Sequence, residues 1–181
     1  VYCGFADGTV AALDTMTGQK KWETNVSGEV TEYTDVDGPV TIRDDRIYVT
    51  SYGAGVAVLE RSTGNLLWQR SFNNLASAKL AGESIYLAVA TGRVVAIDAE
   101  TGDSEWGFKL SDNLPVDLSV VNGYTFVSTS SGPLYVLDRA TGYPLMTWRP
   151  SNGFSTAAVF SERAGYLLSN RGYLYSFRLA F

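Results

Sequence analysis

The feature that most constrains the fold is a segment that occurs four times along the 181-residue chain. The copies read VAALDTMTGQKKW from Val10, VAVLERSTGNLLW from Val56, VVAIDAETGDSEW from Val94 and LYVLDRATGYPLMTW from Leu134. Each places an acid three residues before a Thr-Gly pair and ends on a tryptophan, and successive threonines are 46, 38 and 40 residues apart. The residues in these positions are Asp14, Thr17, Gly18 and Trp22, then Glu60, Thr63, Gly64 and Trp68, then Asp98, Thr101, Gly102 and Trp106, and finally Asp138, Thr141, Gly142 and Trp148.

Short apolar runs and tight turns alternate within each copy. The pattern predicts a strand, a glycine turn, a strand, the Asp-x-x-Thr-Gly turn and a further strand, with a looser strand before them. Four short strands in about 40 residues are typical of a β-propeller blade. The sequence therefore predicts an all-β fold, a partial ring with three complete blades and two partial ones. The predicted blades are 39–72, 75–110 and 115–149, and the partial blades are 1–26 and 155–181 of a single propeller fragment, which we expect to be the carboxy-terminal part of a larger ring.

The repeated residues have a structural explanation. Asp and Thr side chains accept or donate hydrogen bonds to nearby backbone groups in turns, and glycine adopts positive φ without strain. We therefore interpret the four acids as turn residues, and we expect the four tryptophans to pack one blade against its neighbour. Cys3 aligns with apolar strand positions such as Leu87 and Val127, which predicts a free thiol in the core rather than a lipid-bearing cysteine.

Composition excludes several functions. The chain has no histidine and a single cysteine, so it lacks the residues for Ser-His-Asp or Cys-His catalysis, His-ligated zinc and an internal disulfide. Its formal net charge of −5 and scattered basic residues argue against nucleic acid and anionic membrane surfaces. We predict no catalytic residue, metal site or cofactor.

One segment departs from the repeat. The first step of 46 residues carries six to eight extra residues between Trp22 and Tyr48, and these include Glu29, Glu32, Asp35 and Asp37. Loops on rigid scaffolds are common binding sites, so we predict that Asp35 and Asp37 contact a partner. An ordinary solvated turn with Asp as a local cap explains the segment equally well. The spacing of the acids does not match a dedicated calcium loop.

The repeat resembles a known family. The run Ala12-x-Asp14-x-x-Thr17-Gly18-x-x-x-Trp22 is similar to the tryptophan-docking motif of PQQ-like, quinoprotein-type propellers, although Trp148 comes two residues late in its copy. Within that superfamily the chain most resembles the BamB family of propeller lipoproteins. The segment TDVDGPV resembles the Asp-Val-Asp segment of that family, and the ending RGYLYSFRLAF resembles its terminal strand.

The resemblance implies an eight-bladed propeller in the bacterial periplasm, tethered to the outer membrane by a lipid outside this chain. It implies a non-enzymatic scaffold of the outer-membrane β-barrel assembly (BAM) complex that binds the POTRA domains of the barrel-inserting subunit and assists unfolded outer-membrane proteins. Asp35 and Asp37 match the family's acidic contact positions. Two alternatives remain: a generic PQQ-like binding or sensor propeller, and a quinone-dependent dehydrogenase, whose adjacent cysteine pair Cys3 alone does not supply.

Overall fold

The structure is a computed structural model, and it describes residues 1–29, 32, 34–36, 38–150 and 152–179. In these residues the regular structure is β-strand, arranged in antiparallel sheets in which each strand pairs with the next along the chain. Within the same residues, no helix is long and apolar enough to span a membrane. The chain divides into two compact units, Val1–Leu75 and Ala76–Phe181, which we call unit 1 and unit 2.

Unit 1 contains sheets 1 and 2, and unit 2 contains sheets 3, 4 and 5. Sheet 1 consists of β1 (Tyr2–Gly4), β2 (Thr9–Leu13) and β3 (Lys20–Asn25), and sheet 2 of β4 (Thr41–Arg43), β5 (Arg46–Ser51), β6 (Gly55–Glu60) and β7 (Leu66–Arg70). Sheet 3 consists of β8 (Leu75–Ala81), β9 (Ser84–Val89), β10 (Arg93–Asp98) and β11 (Ser104–Lys109), and sheet 4 of β12 (Pro115–Val121), β13 (Tyr124–Thr129), β14 (Leu134–Asp138) and β15 (Pro144–Trp148). Sheet 5 consists of β16 (Val159–Ser161), β17 (Ala164–Leu168) and β18 (Leu174–Arg178).

The middle strands of the four-stranded sheets are buried on both faces. β6, β9 and β10 are each buried over at least four consecutive residues, and β5 is buried over three. Their sequences are rich in Val, Ile and Leu, which suit strands enclosed on both sides. The outer strands β3, β11 and β15 expose most of their side chains, and in each the tryptophan is the most enclosed residue or among the most enclosed.

Tryptophans join neighbouring sheets within each unit. In unit 1, Trp22 Nε1 of sheet 1 donates a hydrogen bond to the Arg61 carbonyl of sheet 2 at 3.2 Å. Its ring covers Gly64, where a Cβ would lie 2.5 Å from Trp22 Cε3. In unit 2, Trp106 Nε1 donates to the Arg139 carbonyl at 3.0 Å, and its ring covers Gly142 in the same way. The tryptophan of one sheet therefore packs on the Thr-Gly turn of the following sheet.

An arginine in each of these turns reaches back to the preceding sheet. Arg139 Nε donates to the Tyr86 hydroxyl at 3.0 Å, Arg139 Nη2 donates to the Ala81 carbonyl at 2.9 Å, and the guanidinium lies 5.7 Å from the Tyr86 ring centroid. Arg61 Nε makes the equivalent, longer bond of 3.4 Å to the Tyr2 hydroxyl. We call this contact between two neighbouring sheets the joint. In each joint, an indole of the first sheet packs on the turn of the second, and an arginine of that turn bonds back to the first sheet.

Cys3 departs from the expected core position. It is a free thiol in β1, but it is only partly buried. The aligned Leu87 and Val127 are fully buried. The difference arises because β1 forms an edge of sheet 1 among the described residues, whereas β9 and β13 are flanked by strands on both sides.

The joint predicts a difference between glycines of the same turn position. Gly18, Gly64 and Gly142 all have φ between +71° and +77°, so alanine costs about 1–2 kcal/mol of backbone strain at each. At Gly64 and Gly142 the new methyl group also meets a tryptophan ring, whereas a Cβ on Gly18 has nothing within 4 Å. Urea unfolding should therefore show that Gly64→Ala and Gly142→Ala destabilise the chain by about 1–3 kcal/mol more than Gly18→Ala. Equal losses of unfolding free energy at the three positions would contradict the packing of a tryptophan ring on Gly64 and Gly142.

Candidate partner-binding surface

The turn acids are occupied by their own turns. Asp14 Oδ1 accepts hydrogen bonds from the backbone N–H groups of Met16 and Thr17, each at 3.0 Å, and from the Thr17 hydroxyl at 3.1 Å. Asp98 and Asp138 accept the corresponding backbone bonds, and in the second copy the Thr63 hydroxyl and Asn65 Nδ2 donate to the Glu60 carboxylate. These carboxylates satisfy local backbone and hydroxyl donors, as is usual for acids in turns.

Two of these turns hold their acids in the ionised form. The pKa of Asp14 is lowered well below its usual range, first by the backbone N–H of Thr17 and then by the Lys21 ammonium, which lies 3.1 Å away. The pKa of Asp138 is lowered by the hydroxyl and the backbone N–H of Thr141. Hydrogen bonds to a carboxylate favour its charged form, so both turns are most stable when the acid is deprotonated.

The insert between β3 and β4, residues 26–40, contacts sheets 1 and 2 through residues that the structure describes. Val26 and Val36 are buried in the core of unit 1, together with β-strand residues such as Ile47 and Val49. The Val26 N–H donates to the Gly8 carbonyl at 2.8 Å, and the Val36 N–H donates to the Phe5 carbonyl at 3.1 Å. The insert is therefore fastened at two buried valines.

Asp35 lies between Thr34 and Val36, and both of these neighbours contact the rest of unit 1. Thr34 Oγ1 donates to the Ala6 carbonyl at 3.2 Å, and Val36 is buried on the other side. The Asp35 side chain itself is exposed, as are those of Glu29 and Glu32. Asp37, the second predicted contact residue, lies outside the described residues. The structure thus presents Asp35 on the surface, and its role in binding stays a prediction.

A recess on sheet 1 shares Phe5 with the backbone contact that holds Val36, the neighbour of this acid. It has a volume of about 520 Å³ and is lined by Phe5, Asp7, Thr9, Glu23 and Asn25. Phe5 connects the two features, because its carbonyl accepts the Val36 N–H and its side chain, 46% exposed, lines the recess. The backbone N–H of Thr9, at 2.9 Å, lowers the pKa of Asp7.

The recess was not predicted from the sequence, although one signal existed. Asp7 precedes the turn glycine Gly8, whereas the equivalent residue before Gly92 is Thr91 and before Gly132 is Ser131. An acid at this position therefore occurs in the first copy and not in those two. We call Phe5, Asp7, Glu23 and Asp35 the acidic surface of sheet 1, in which Glu23 is paired with Lys20 at 2.6 Å.

Comparison with known proteins identifies the family. A family model described as outer membrane protein assembly factor BamB matches residues 1–108 and 90–177. The chain belongs to the BamB family. The BamB of Shewanella oneidensis is 29% identical over 147 residues, which are 78% of this chain and 37% of that protein. The BamB of Legionella pneumophila is 24% identical over 180 residues, which are 96% of this chain and 47% of that protein. This BamB-family chain thus spans less than half the length of these two relatives.

The fold is that of a solved BamB. The crystal structure of BamB from Moraxella catarrhalis superimposes with a TM-score of 0.78, covering 98% of this chain and 57% of that one at 21% identity. The prediction of an all-β propeller fold built from PQQ-like repeats is therefore confirmed, as is the resemblance to the BamB family. The family match does not identify the residues of this chain that contact a partner.

The turn acids predict how stability depends on pH. Because the pKa values of Asp14 and Asp138 are lower in the folded chain than the ordinary value of about 3.9, their contribution is present above that value and is lost as the pH falls below it. Asp14→Asn should therefore lower the Tm at neutral pH, and the gap from the parent chain should narrow at about pH 2–3. Glu29→Gln, a change of the same charge on the exposed insert, serves as the control. A gap that stays constant with pH would contradict this role.

Proposed function

We propose that this chain is part of a non-enzymatic assembly factor for outer-membrane proteins, and that it docks a protein partner through the acidic surface of sheet 1. The observation that carries the proposal is that the Asp35 side chain is exposed while its two neighbours are fixed by hydrogen bonds. Its neighbours Thr34 and Val36 are bonded to the backbone of residues 5 and 6, so the carboxylate is held in place without taking part in the fold. Rigid presentation lowers the entropic cost of binding.

The chemistry of this surface defines its partner. Exposed carboxylates beside an exposed phenylalanine suit a surface that offers Lys or Arg next to apolar side chains. We assign this partner to the POTRA domains of the barrel-inserting subunit of the BAM complex, with unfolded outer-membrane proteins as further clients. The name of the relatives, outer membrane protein assembly factor, supports the assembly role. The proposal places the chain in the periplasm, as part of an outer-membrane-associated lipoprotein.

Catalysis is not part of the proposal. The sequence supplies no histidine and a single cysteine, Cys3. In the described part of the chain, no three residues among Cys, Asp and Glu come together in a way that could hold a metal ion. The four repeat acids are turn residues, and three of them bond to backbone N–H groups of their own turn.

The docking proposal predicts the effect of charge at Asp35. Asp35→Lys should weaken binding to the isolated POTRA domains by about tenfold, because it places like charges at the contact. Asp35→Asn should have a smaller effect in the same direction. Both variants should keep the Tm of the parent, since the exposed side chain is not part of the core. Isothermal titration calorimetry and thermal unfolding measure the two properties.

Glu105→Lys provides the matched control for this experiment. It makes the same change in net charge on an exposed strand residue of sheet 3, in unit 2, and should leave POTRA affinity unchanged. Combining Asp35→Lys with Asp37→Lys tests the second predicted contact. POTRA binding by Asp35→Lys with the parent's affinity would refute the docking proposal, and equal loss in Glu105→Lys would show that net charge alone is responsible.

A cofactor experiment separates the scaffold from a quinone-dependent dehydrogenase. A ligand that binds the folded state raises the Tm, by mass action. We expect pyrroloquinoline quinone with calcium to leave the Tm of this chain unchanged when each is added in large excess. A concentration-dependent rise in Tm would instead support the dehydrogenase alternative.

A further inference from the structure

The sequence contains two Asn-Gly dipeptides, Asn122-Gly123 and Asn152-Gly153. An asparagine before a glycine can lose its side-chain amide, because the next backbone nitrogen attacks the carbonyl carbon of the asparagine side chain. Glycine has no Cβ, so this nitrogen is poorly shielded. In a folded protein the reaction also needs a backbone that is open to water and not packed against other atoms. The two dipeptides differ in this respect.

Asn122 and Gly123 form the turn between β12 and β13. Both residues are exposed, and Val121 pairs with Tyr124 across the turn. Apart from its two chain neighbours, no described residue has an atom within 4 Å of a Cβ built on Gly123. Water therefore reaches the Gly123 nitrogen, and the Asn122 side chain has room to fold over it.

The second dipeptide is packed against the end of β13. Gly153 is buried, and a Cβ built on it would overlap the Ser130 carbonyl. The Gly153 carbonyl accepts the Asn170 N–H at 3.1 Å, and Asn170 Nδ2 donates to the Ser130 carbonyl at 2.9 Å. These contacts fix the backbone at Gly153, so its nitrogen cannot approach the Asn152 side chain without local unfolding.

Arg139 adds an electrostatic contribution at the first dipeptide. Its Nη1 donates a hydrogen bond to the Asn122 carbonyl at 3.1 Å. This carbonyl and the Gly123 N–H belong to one peptide group, so loss of the N–H proton places negative charge on the oxygen that faces the guanidinium. A cation that bonds to a group favours the negatively charged form of that group. Arg139 therefore favours the deprotonated Gly123 nitrogen, which is the attacking form.

We propose that Asn122 is a site of spontaneous deamidation in the folded chain and that Asn152 is protected. The Gly123 nitrogen bonds to Asn122 Cγ to form a cyclic imide, the Cγ–Nδ2 bond breaks, and the amide nitrogen leaves as ammonia with the proton from Gly123. Water then adds to one of the two imide carbonyls and breaks its bond to nitrogen, which yields aspartate or isoaspartate. Either product carries a new carboxylate. This inference goes beyond the proposed function and does not depend on it.

The repeat indicates how each product affects the fold. The equivalent turn of sheet 2 begins with Asp44, whose φ of 53° is close to the 51° of Asn122, and the Asp44 carbonyl accepts Arg61 Nη1 at 3.3 Å. Aspartate at position 122 therefore suits this turn. Isoaspartate instead adds a methylene to the main chain before Gly123, whose carbonyl accepts the Arg139 N–H at 2.9 Å. Because Arg139 belongs to the joint between sheets 3 and 4, isoaspartate weakens that joint.

The first experiment measures the modification by peptide mapping. The folded chain is incubated at neutral and mildly alkaline pH, well below its Tm, then digested with trypsin and analysed by liquid chromatography and mass spectrometry. The peptide with Asn122 should change from amide to acid in two separable products, at least about tenfold faster than the peptide with Asn152. An unmodified Asn122, or equal rates at the two asparagines, would overturn the proposal.

Gly123→Ala tests the attacking nitrogen. The φ of Gly123 lies outside the left-handed region and its Cβ position is open, so alanine fits the turn and should keep the parent's Tm. Its methyl group hinders the nitrogen, and the rate at Asn122 should fall by at least about tenfold. A rate equal to the parent's would refute attack by Gly123. Arg139→Gln removes the positive charge and should also slow the reaction, and a rate that does not fall would refute the contribution of Arg139.

Asn122→Asp separates the effects of the two products. This variant has the aspartate product in an unaltered main chain, and it should unfold at the parent's Tm. Parent chain that has been incubated and purified in its isoaspartate form should have a Tm lower by a few degrees. Equal Tm values for the isoaspartate form and Asn122→Asp would contradict the effect on the joint. None of these results requires a POTRA partner, since Asn122 lies in unit 2.

Discussion

The structure depends on a tryptophan that packs on a Thr-Gly turn of the next sheet. The indole covers a glycine whose backbone has positive φ, and its Nε1 donates to a carbonyl of the same turn, as Trp22 does at Gly64 and Arg61. A larger residue at the glycine would push the ring away, and another side chain in place of the indole would lose the hydrogen bond. In the Trp106 joint, Asp138 helps to keep Gly142 and the Arg139 carbonyl in position by accepting hydrogen bonds from the backbone N–H groups between them. In the Trp22 joint, Glu60 accepts instead from the Thr63 hydroxyl. At Trp22 and Trp106, the spacing of the repeat therefore serves one joint between neighbouring sheets.

Much of the fold could be predicted because the joint leaves a periodic pattern in the sequence. The turn acids, glycines and tryptophans recur at nearly constant spacing, and that spacing alone gives strands, turns and the order of sheets. The arginine contacts could not be predicted in this way. Arg61 and Arg139 occupy the position after the acid in two copies, whereas Thr15 and Ala99 occupy it in the others. A contact that occurs in some copies does not stand out from the variation between repeats.

The candidate site was accessible from the sequence only in part. Asp35 drew attention because the insert breaks the repeat, but its exposure follows from Val36, which is buried and bonded to Phe5. Whether an irregular segment packs or extends into solvent depends on tertiary contacts that have no local pattern. The same limit applies to Asp7 and Glu23, which lie far apart in sequence and line one recess because β1, β2 and β3 pair. Acids that bond within their own turn and acids that are exposed on the surface thus look alike until the hydrogen bonds are known.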